Sequence, residues 1–154
     1  MRKILLIMVA LAFVLTSVNV MAATVTDTLT STATVAASCS VQSVTSLDFG
    51  AYDSTSATAD DDGVGNVQFR CTKGTAYGMY VTDARTMTDG TDTMNFEIYQ
   101  EAGRTTAWPS VSPGVGSTAA DNTTIQNDIY GRIAALQDVQ VGTYNGSVTV
   151  TIEY

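Results

Sequence analysis

The sequence predicts an all-β fold, and three observations lead to that prediction. Short runs of apolar and β-branched residues alternate with polar ones, clusters of Gly, Asp, Asn and Ser separate the runs, and no long amphipathic helix is present. Runs this short favour a sandwich of two sheets over a parallel sheet. The six predicted strands are 41–49, 67–72, 77–82, 94–100, 124–133 and 147–154.

The first residues have the pattern of a signal peptide. Arg2 and Lys3 are positively charged, and the apolar run 4–15 that follows is shorter than a membrane-spanning helix requires. Small residues place cleavage after Ala22, with a retained membrane anchor as the alternative. We expect residues 1–22 to be removed, residues 23–37 to form an N-terminal extension and residues 38–154 to form one domain.

The composition argues against several functional classes. The chain has no His, which removes Ser-His-Asp and Cys-His nucleophiles and most zinc sites. Its formal net charge is −8, and loss of Arg2 and Lys3 would make it −10, so nucleic acid is not an expected partner. The run 60–63 lacks the alternating ligands of a calcium loop and is interpreted as a solvated turn. We expect no enzyme activity, no cofactor and no metal site.

Two cysteines, Cys39 and Cys71, are predicted to form a disulfide. The chain has two cysteines, and an exported chain enters an oxidising compartment in which a disulfide between them can persist. Closing a loop of this length would stabilise the domain by about 3–4 kcal/mol. A reactive or metal-binding thiol pair is the alternative, but thiolate metal sites usually have closer spacing or His partners.

Threonine occupies every even position from 24 to 34, which is the most regular pattern in the chain. The odd positions of the same segment carry Val25, Asp27, Leu29, Ser31, Ala33 and Val35. An extended strand would therefore have one hydroxylated face and one face with spaced apolar side chains, suited to a groove. The candidate donor residues for such a groove are Val25, Leu29, Ala33 and Val35. An ordinary first strand of the same domain and a Thr-rich flexible stalk are the alternatives.

The C-terminal residues alternate in the same way. One face of the predicted last strand carries Val148, Val150, Ile152 and Tyr154, and the other face carries Ser147, Thr149, Thr151 and Glu153. If this strand bordered an open sheet, its unpaired backbone groups would favour aggregation unless a partner covered them. The four apolar residues are therefore the candidate edge of a groove.

Several short motifs, taken in order, resemble one known family. They are Cys39-Ser40-Val41, 47–52 (LDFGAY), Cys71 with 74–77 (GTAY), Ile98-Tyr99, Arg104 with Trp108, 130–133 (YGRI) with Gln137, and 142–144 (GTY) leading into 148–154. Their order and spacing resemble the spore coat protein U domain family, which includes the archaic, Csu-type chaperone-usher pilins. Pro109 and Gly146 depart from the family pattern, and Asn145-Gly146 is predicted to form a tight turn because both residues tolerate positive φ. For Arg132 the resemblance implies a structural role.

The resemblance implies an immunoglobulin-like sandwich of six strands, with a groove beside the C-terminal strand where a seventh is missing. A periplasmic chaperone would fill the groove first, and an outer-membrane usher would replace it with the N-terminal strand of a neighbouring copy or related pilin. The expected function is a structural subunit of a surface pilus that serves adhesion or biofilm formation. A secreted spore-coat protein is the alternative, and a tip adhesin is less favoured because it would need a second domain.

Overall fold

The computed structural model describes residues 21–154, and no helix occurs in that range. Most of the predicted signal peptide therefore lies outside the described residues. No helix in this part of the chain has the length and apolar character that a membrane crossing needs. The eight strands are β1 (Cys39–Thr45), β2 (Val64–Cys71), β3 (Ala76–Thr82), β4 (Thr86–Thr88), β5 (Thr93–Tyr99), β6 (Val115–Thr118), β7 (Ile125–Ile133) and β8 (Thr149–Glu153).

The strands form two antiparallel sheets, as an incomplete immunoglobulin-like sandwich requires. The larger sheet has the order β1-β2-β7-β5-β4, and the smaller has the order β6-β3-β8. The core draws on both sheets, and its fully buried side chains include Val67, Phe69, Met79, Val81, Ile98 and Ile133. Alternation along β2, β3, β5 and β7 supplies these residues, which is the pattern that predicted strands in the sequence.

All six predicted strands overlap strands of the structure, and two short strands were not predicted. Strand β4 has three residues and β6 has four. Both are too short for alternation to be recognised, and β6 lies in a Gly- and Ser-rich stretch. Their pairing partners, β5 and β3, define them as strands.

Strand β1 is fastened to β2 by covalent and hydrogen bonds. Cys39 and Cys71 form the predicted disulfide and are direct partners in the β1–β2 ladder. The register shifts between Val41 and Ser43, where Gln42 is the extra residue of a bulge. Because a bulge changes the side-chain phase by one residue, Val44 returns to the same face as Val41.

The segment around Trp108 joins both sheets. Its backbone N–H donates to Ile98 of β5 at 3.0 Å, and the carbonyl of Pro109 accepts from Val81 of β3 at 2.9 Å. Proline has no backbone N–H group, but its carbonyl can still accept a hydrogen bond, as it does here. The departure at Pro109 is therefore compatible with a packed loop.

Arg132 fixes the turn that precedes β2, in keeping with the implied structural role. Its Nε and one terminal nitrogen donate to the two carboxylate oxygens of Asp61 at 2.7 and 2.9 Å. Arg104 also lies near this carboxylate, at 3.3 Å. The interpretation of 60–63 as a merely solvated turn is wrong in this respect, because Asp61 is an ion-pair partner of β7.

We expect Asp61→Asn to reduce stability in a pH-dependent way. The hydrogen bond from Arg132, and more weakly the charge of Arg104, lower the pKa of Asp61 from its ordinary value. A lowered pKa in the folded state stabilises above the unfolded pKa, and this contribution disappears as pH falls through the folded value. Since the site is partly exposed, the expected loss at pH 7 is about 1 kcal/mol.

Urea unfolding from pH 7 to pH 2 would measure this contribution. The difference between wild type and Asp61→Asn should shrink below about pH 4. The exposed neighbour Asp62 provides the control, and Asp62→Asn should change stability little at any pH. A loss from Asp61→Asn that stays constant over the whole pH range would contradict the ion-pair interpretation.

Candidate functional site

The candidate site is the gap between two edge strands. Strand β8 is the last strand of the smaller sheet and β1 is the last strand of the larger one. Strand β3 pairs with one edge of β8, and among the described residues no strand pairs with the other edge. The backbone groups on that free edge point along the sheet and are available to a further strand.

The register of β1 shows that its valines point into the sandwich. Val41 lies opposite Phe69, and Val44 lies opposite Val67. Directly opposed residues of an antiparallel pair share a face, and both partners on β2 are fully buried. Val41 and Val44 are nevertheless 51% and 57% exposed. Two inward-facing valines are therefore open to solvent because no strand of the second sheet covers them.

Strand β8 forms the opposite wall. Val150 lies opposite the buried Val81, and Ile152 lies opposite the buried Met79, so both point inward. They are only half-buried, as is Val148, and all three pack against the core. Tyr154, the fourth predicted edge residue, follows the end of β8 and is exposed.

Between these walls lies an apolar groove of about 220 Å³. Val44 and Leu47 line one side, Val148 and Val150 the other, and Phe96 and Ile129 also line it. Only the β8 side of this groove was predicted from the sequence. Regular alternation within 41–49 would place Val41 and Val44 on opposite faces, because they are three residues apart. Only the bulge in the pairing with β2 shows that both face inward.

A wider cleft, which the sequence reasoning missed, continues from the groove. Its volume is about 680 Å³, and it lies between residues 47–54 and 139–145. Leu47, Phe49 and Met87 line both the groove and the cleft. The motifs 47–52 and 142–144 that suggested the family supply much of its lining, which was the available signal.

Two carboxylates hold the 139–145 side of the cleft in place. Asp92 accepts a hydrogen bond from the backbone of Gln140, and Asp89 accepts one from its side chain, both at 2.9 Å. The pKa of Asp89 is lowered, first by the backbone N–H groups of Thr91 and Asp92 and then by Gln140. This loop is therefore a bonded part of the domain that shapes the cleft.

The N-terminal extension contains no strand. Residues 21–38 are assigned to no element, so no intramolecular first strand is formed by 23–37. The candidate donor residues are exposed, with Val25 at 97% and Leu29 at 98%, and Ala33 and Val35 are exposed as well. Their docking into a groove stays a prediction.

The expected tight turn at Asn145-Gly146 is not found, because no turn is assigned there and neither residue has a positive φ. Asn145 instead exchanges two backbone hydrogen bonds with Thr88 of β4, at 2.9 and 3.0 Å. A Cβ atom at position 146 would collide with the carbonyl oxygen of Thr86. The prediction of a turn was therefore wrong, and the close approach to β4 is what requires glycine at position 146.

Within 21–154, no group of three or more His, Cys, Asp or Glu side chains is arranged to hold a metal ion. The lining of the groove is chiefly apolar, and its polar side chains are the hydroxyls of Thr45, Ser46 and Ser147. What this arrangement can do is bind an extended, partly apolar strand.

The comparison with protein families agrees with this geometry. The family model of the Spore Coat Protein U domain matches residues 25–151. The chain belongs to this family. The Spore Coat Protein U domain family is that of the Csu-type chaperone-usher pilins, which are structural and not enzymatic. The comparison with curated proteins found no match.

Gly146→Ala is expected to destabilise the groove side of the domain. The added methyl group must displace the backbone of β4 or of the segment leading into β8, at a cost of about 1–3 kcal/mol. Gly103→Ala is the matched control, because the nearest atom to an added Cβ there is a flexible Glu101 side-chain carbon at 4.0 Å. Thermal unfolding of both variants in the same assembly state would compare them. Equal melting temperatures would contradict the close-packing explanation.

Proposed function

We propose that this protein is a structural subunit of a surface pilus, assembled when the N-terminal strand of one copy completes the sandwich of the next. The observation that carries the proposal is the apolar groove between β1 and β8, bordered by inward-facing but exposed valines. A groove of this shape fits strand addition, in which main-chain hydrogen bonds give affinity and alternate side chains fix the register.

The extension 23–37 has the chemistry of a strand for this groove. Its odd positions supply Val25, Leu29, Ala33 and Val35, and its even positions place threonine on the opposite, solvent-facing side. Each buried Val or Leu would contribute about 1.5–3 kcal/mol, and each net hydrogen bond about 0.5–1.5 kcal/mol. The two terms together would stabilise the assembled subunit well beyond the free one.

The partners and the location follow from this mode of assembly. A subunit with an unfilled groove needs cover before assembly, which a periplasmic chaperone would provide, and an outer-membrane usher would catalyse the exchange. The neighbour is another copy or a related pilin, and the polymer lies on the cell surface, where it serves adhesion or biofilm formation. A secreted spore-coat protein is the second candidate, and the family name alone favours it. Chaperone and usher genes beside this gene would favour the pilus.

A first test asks whether the domain needs an added strand. Fusing residues 23–37 to the C-terminus through a short flexible linker should give a stable monomer, because the strand then fills its own groove. The same domain without residues 23–37 should aggregate or melt at a lower temperature, since apolar surface and a strand edge stay exposed. If that truncated domain is monomeric and melts as high as the fusion, the proposal is wrong.

A second test concerns the face by which the strand binds. Leu29→Asp should block polymer formation, because an unpaired carboxylate in an apolar site costs several kcal/mol or excludes the strand. Thr28→Asp and Thr30→Asp should polymerise nearly normally, because their side chains would point to solvent. Deleting Thr28 should be as harmful as Leu29→Asp, because Val25 then changes phase relative to Leu29.

Polymer ladders on unheated gels, from one host strain, would compare these four variants. Equal polymer yield from Leu29→Asp and Thr28→Asp would show that the odd face does not enter the groove. A flexible stalk would then be the better interpretation of residues 23–37.

A further inference from the structure

The two ends of the sandwich differ, and the strand directions define them. One end, called the donor end here, carries the start of β1, the end of β8 and the disulfide. The other, called the cleft end, carries residues 47–54 after β1 and residues 139–145 before β8. The groove lies between β1 and β8 on the side of the cleft end, where Val44 and Val150 line it.

The donor end is where the N-terminal extension leaves the domain. The carbonyls of Ala36 and Ser38 accept hydrogen bonds from Thr72, at 3.3 and 2.8 Å, so this short stretch is attached beside the disulfide. Arg70 and Lys73 are exposed at the same end. Among residues 21–154, neither forms an ion pair within 4.0 Å, although the charge of Lys73 is close enough to Asp121 to contribute to the lowered pKa of that carboxyl.

The cleft end has the complementary character. Asp48 and Asp53 line the cleft together with Val139 and Val141. The side chain of Val141 is fully exposed, although it belongs to a loop that Asp89 and Asp92 hold in place through Gln140. A fixed loop that carries an uncovered valine beside two carboxylates is suited to an apolar and basic partner surface.

A strand in the groove can run in either of two directions, and only one builds a fibre. Suppose that the inserted strand connects to its own domain at the donor end of the receiving copy. Each copy would then give and receive a strand at the same end, which favours closed pairs. If the strand instead connects at the cleft end, each copy gives at one end and receives at the other. Such a head-to-tail contact repeats without closing and produces an open filament.

The chain then brings the neighbour's donor end against the cleft. Only residues 36–38 lie between Val35, the last candidate donor residue, and the start of β1 at Cys39. Even when fully extended, this connection spans only about 14 Å from Val35 to Cys39. A neighbour whose strand fills the groove therefore has its domain at the mouth of the cleft.

We infer that the cleft formed by residues 47–54 and 139–145 binds the donor end of the next copy, as a second contact beside the exchanged strand. This inference rests on the proposed strand exchange. Val139 and Val141 would cover the neighbour's Ala36 and Ala37, and Asp48 and Asp53 would face its Arg70 and Lys73. The angle between successive copies would then be determined by the contact between the cleft and the donor end as well as by the exchanged strand.

Crosslinking within assembled polymers would test the contact. Val141→Cys combined with Lys73→Cys, treated with a short bismaleimide, should give a covalent ladder that survives heating. The matched control combines Lys73→Cys with Val64→Cys, since Val64 is also exposed but precedes the inward-facing Gly65 on the outer side of β2. This control pair should give no ladder above the single-cysteine variants.

The outcomes separate this inference from the proposed function. If unheated gels show polymer for both pairs but the Val141 pair crosslinks no better than the Val64 pair, the cleft contact is wrong and strand exchange stands. If the wild-type chain forms no polymer at all when its chaperone and usher are present, strand exchange is wrong and the cleft contact falls with it.

Charge reversal would test the electrostatic part of the contact. Arg70→Glu with Lys73→Glu should give polymer that dissociates at a lower temperature in detergent, because two carboxylates would then face Asp48 and Asp53. Arg70→Lys keeps the charge and should dissociate like wild type. Unchanged dissociation of the charge-reversed polymer would overturn the pairing of these ends.

Discussion

The constraint on which the rest of the structure depends is the unpaired edge of β8. Within residues 21–154, the backbone N–H and C=O groups on this edge have no partner strand. In a closed sandwich, a further strand would occupy this edge and its side chains would cover Val41 and Val44 of the opposite sheet. Without it, donors and acceptors on β8 rely on water, and inward-facing valines stay half-exposed. In the proposed function, a strand that is added at this edge would both pair with these backbone groups and bury these valines.

An open edge is useful only if its walls keep their shape, and several contacts serve that purpose. The disulfide holds the start of β1 to the end of β2, and the bulge at Gln42 keeps Val44 pointing inward. The pairing of Asn145 with Thr88 fixes the segment that leads into β8. The disulfide, the bulge and these backbone hydrogen bonds therefore hold the β1 and β8 walls in position on either side of the groove.

The extension and the groove of the proposed interaction depend on different parts of the sequence. The extension 23–37 needs only to be extended and correctly phased, which six threonines and four apolar residues achieve locally. The groove needs residues from distant parts of the chain, including Leu47, Ile129 and Val150, to meet at one place. A one-residue slip would be severe for the strand, because every apolar side chain would leave the groove together.

The sequence by itself determined the six longer strands, the cysteine pair and the phase of the C-terminal strand, because each depends on period-two alternation or on the identity of a few residues. The tertiary structure decided what alternation cannot encode. Strands β4 and β6 exist through their partners, Gly146 is required by the backbone of β4, and Asp61 is an ion-pair partner of Arg132 across 71 residues. The exposure of Val41 and Val44 belongs to the same class. In a regular strand these two residues would lie on opposite faces. The bulge at Gln42 turns both inward, and the order of strands in the two sheets shows that no strand within residues 21–154 covers them.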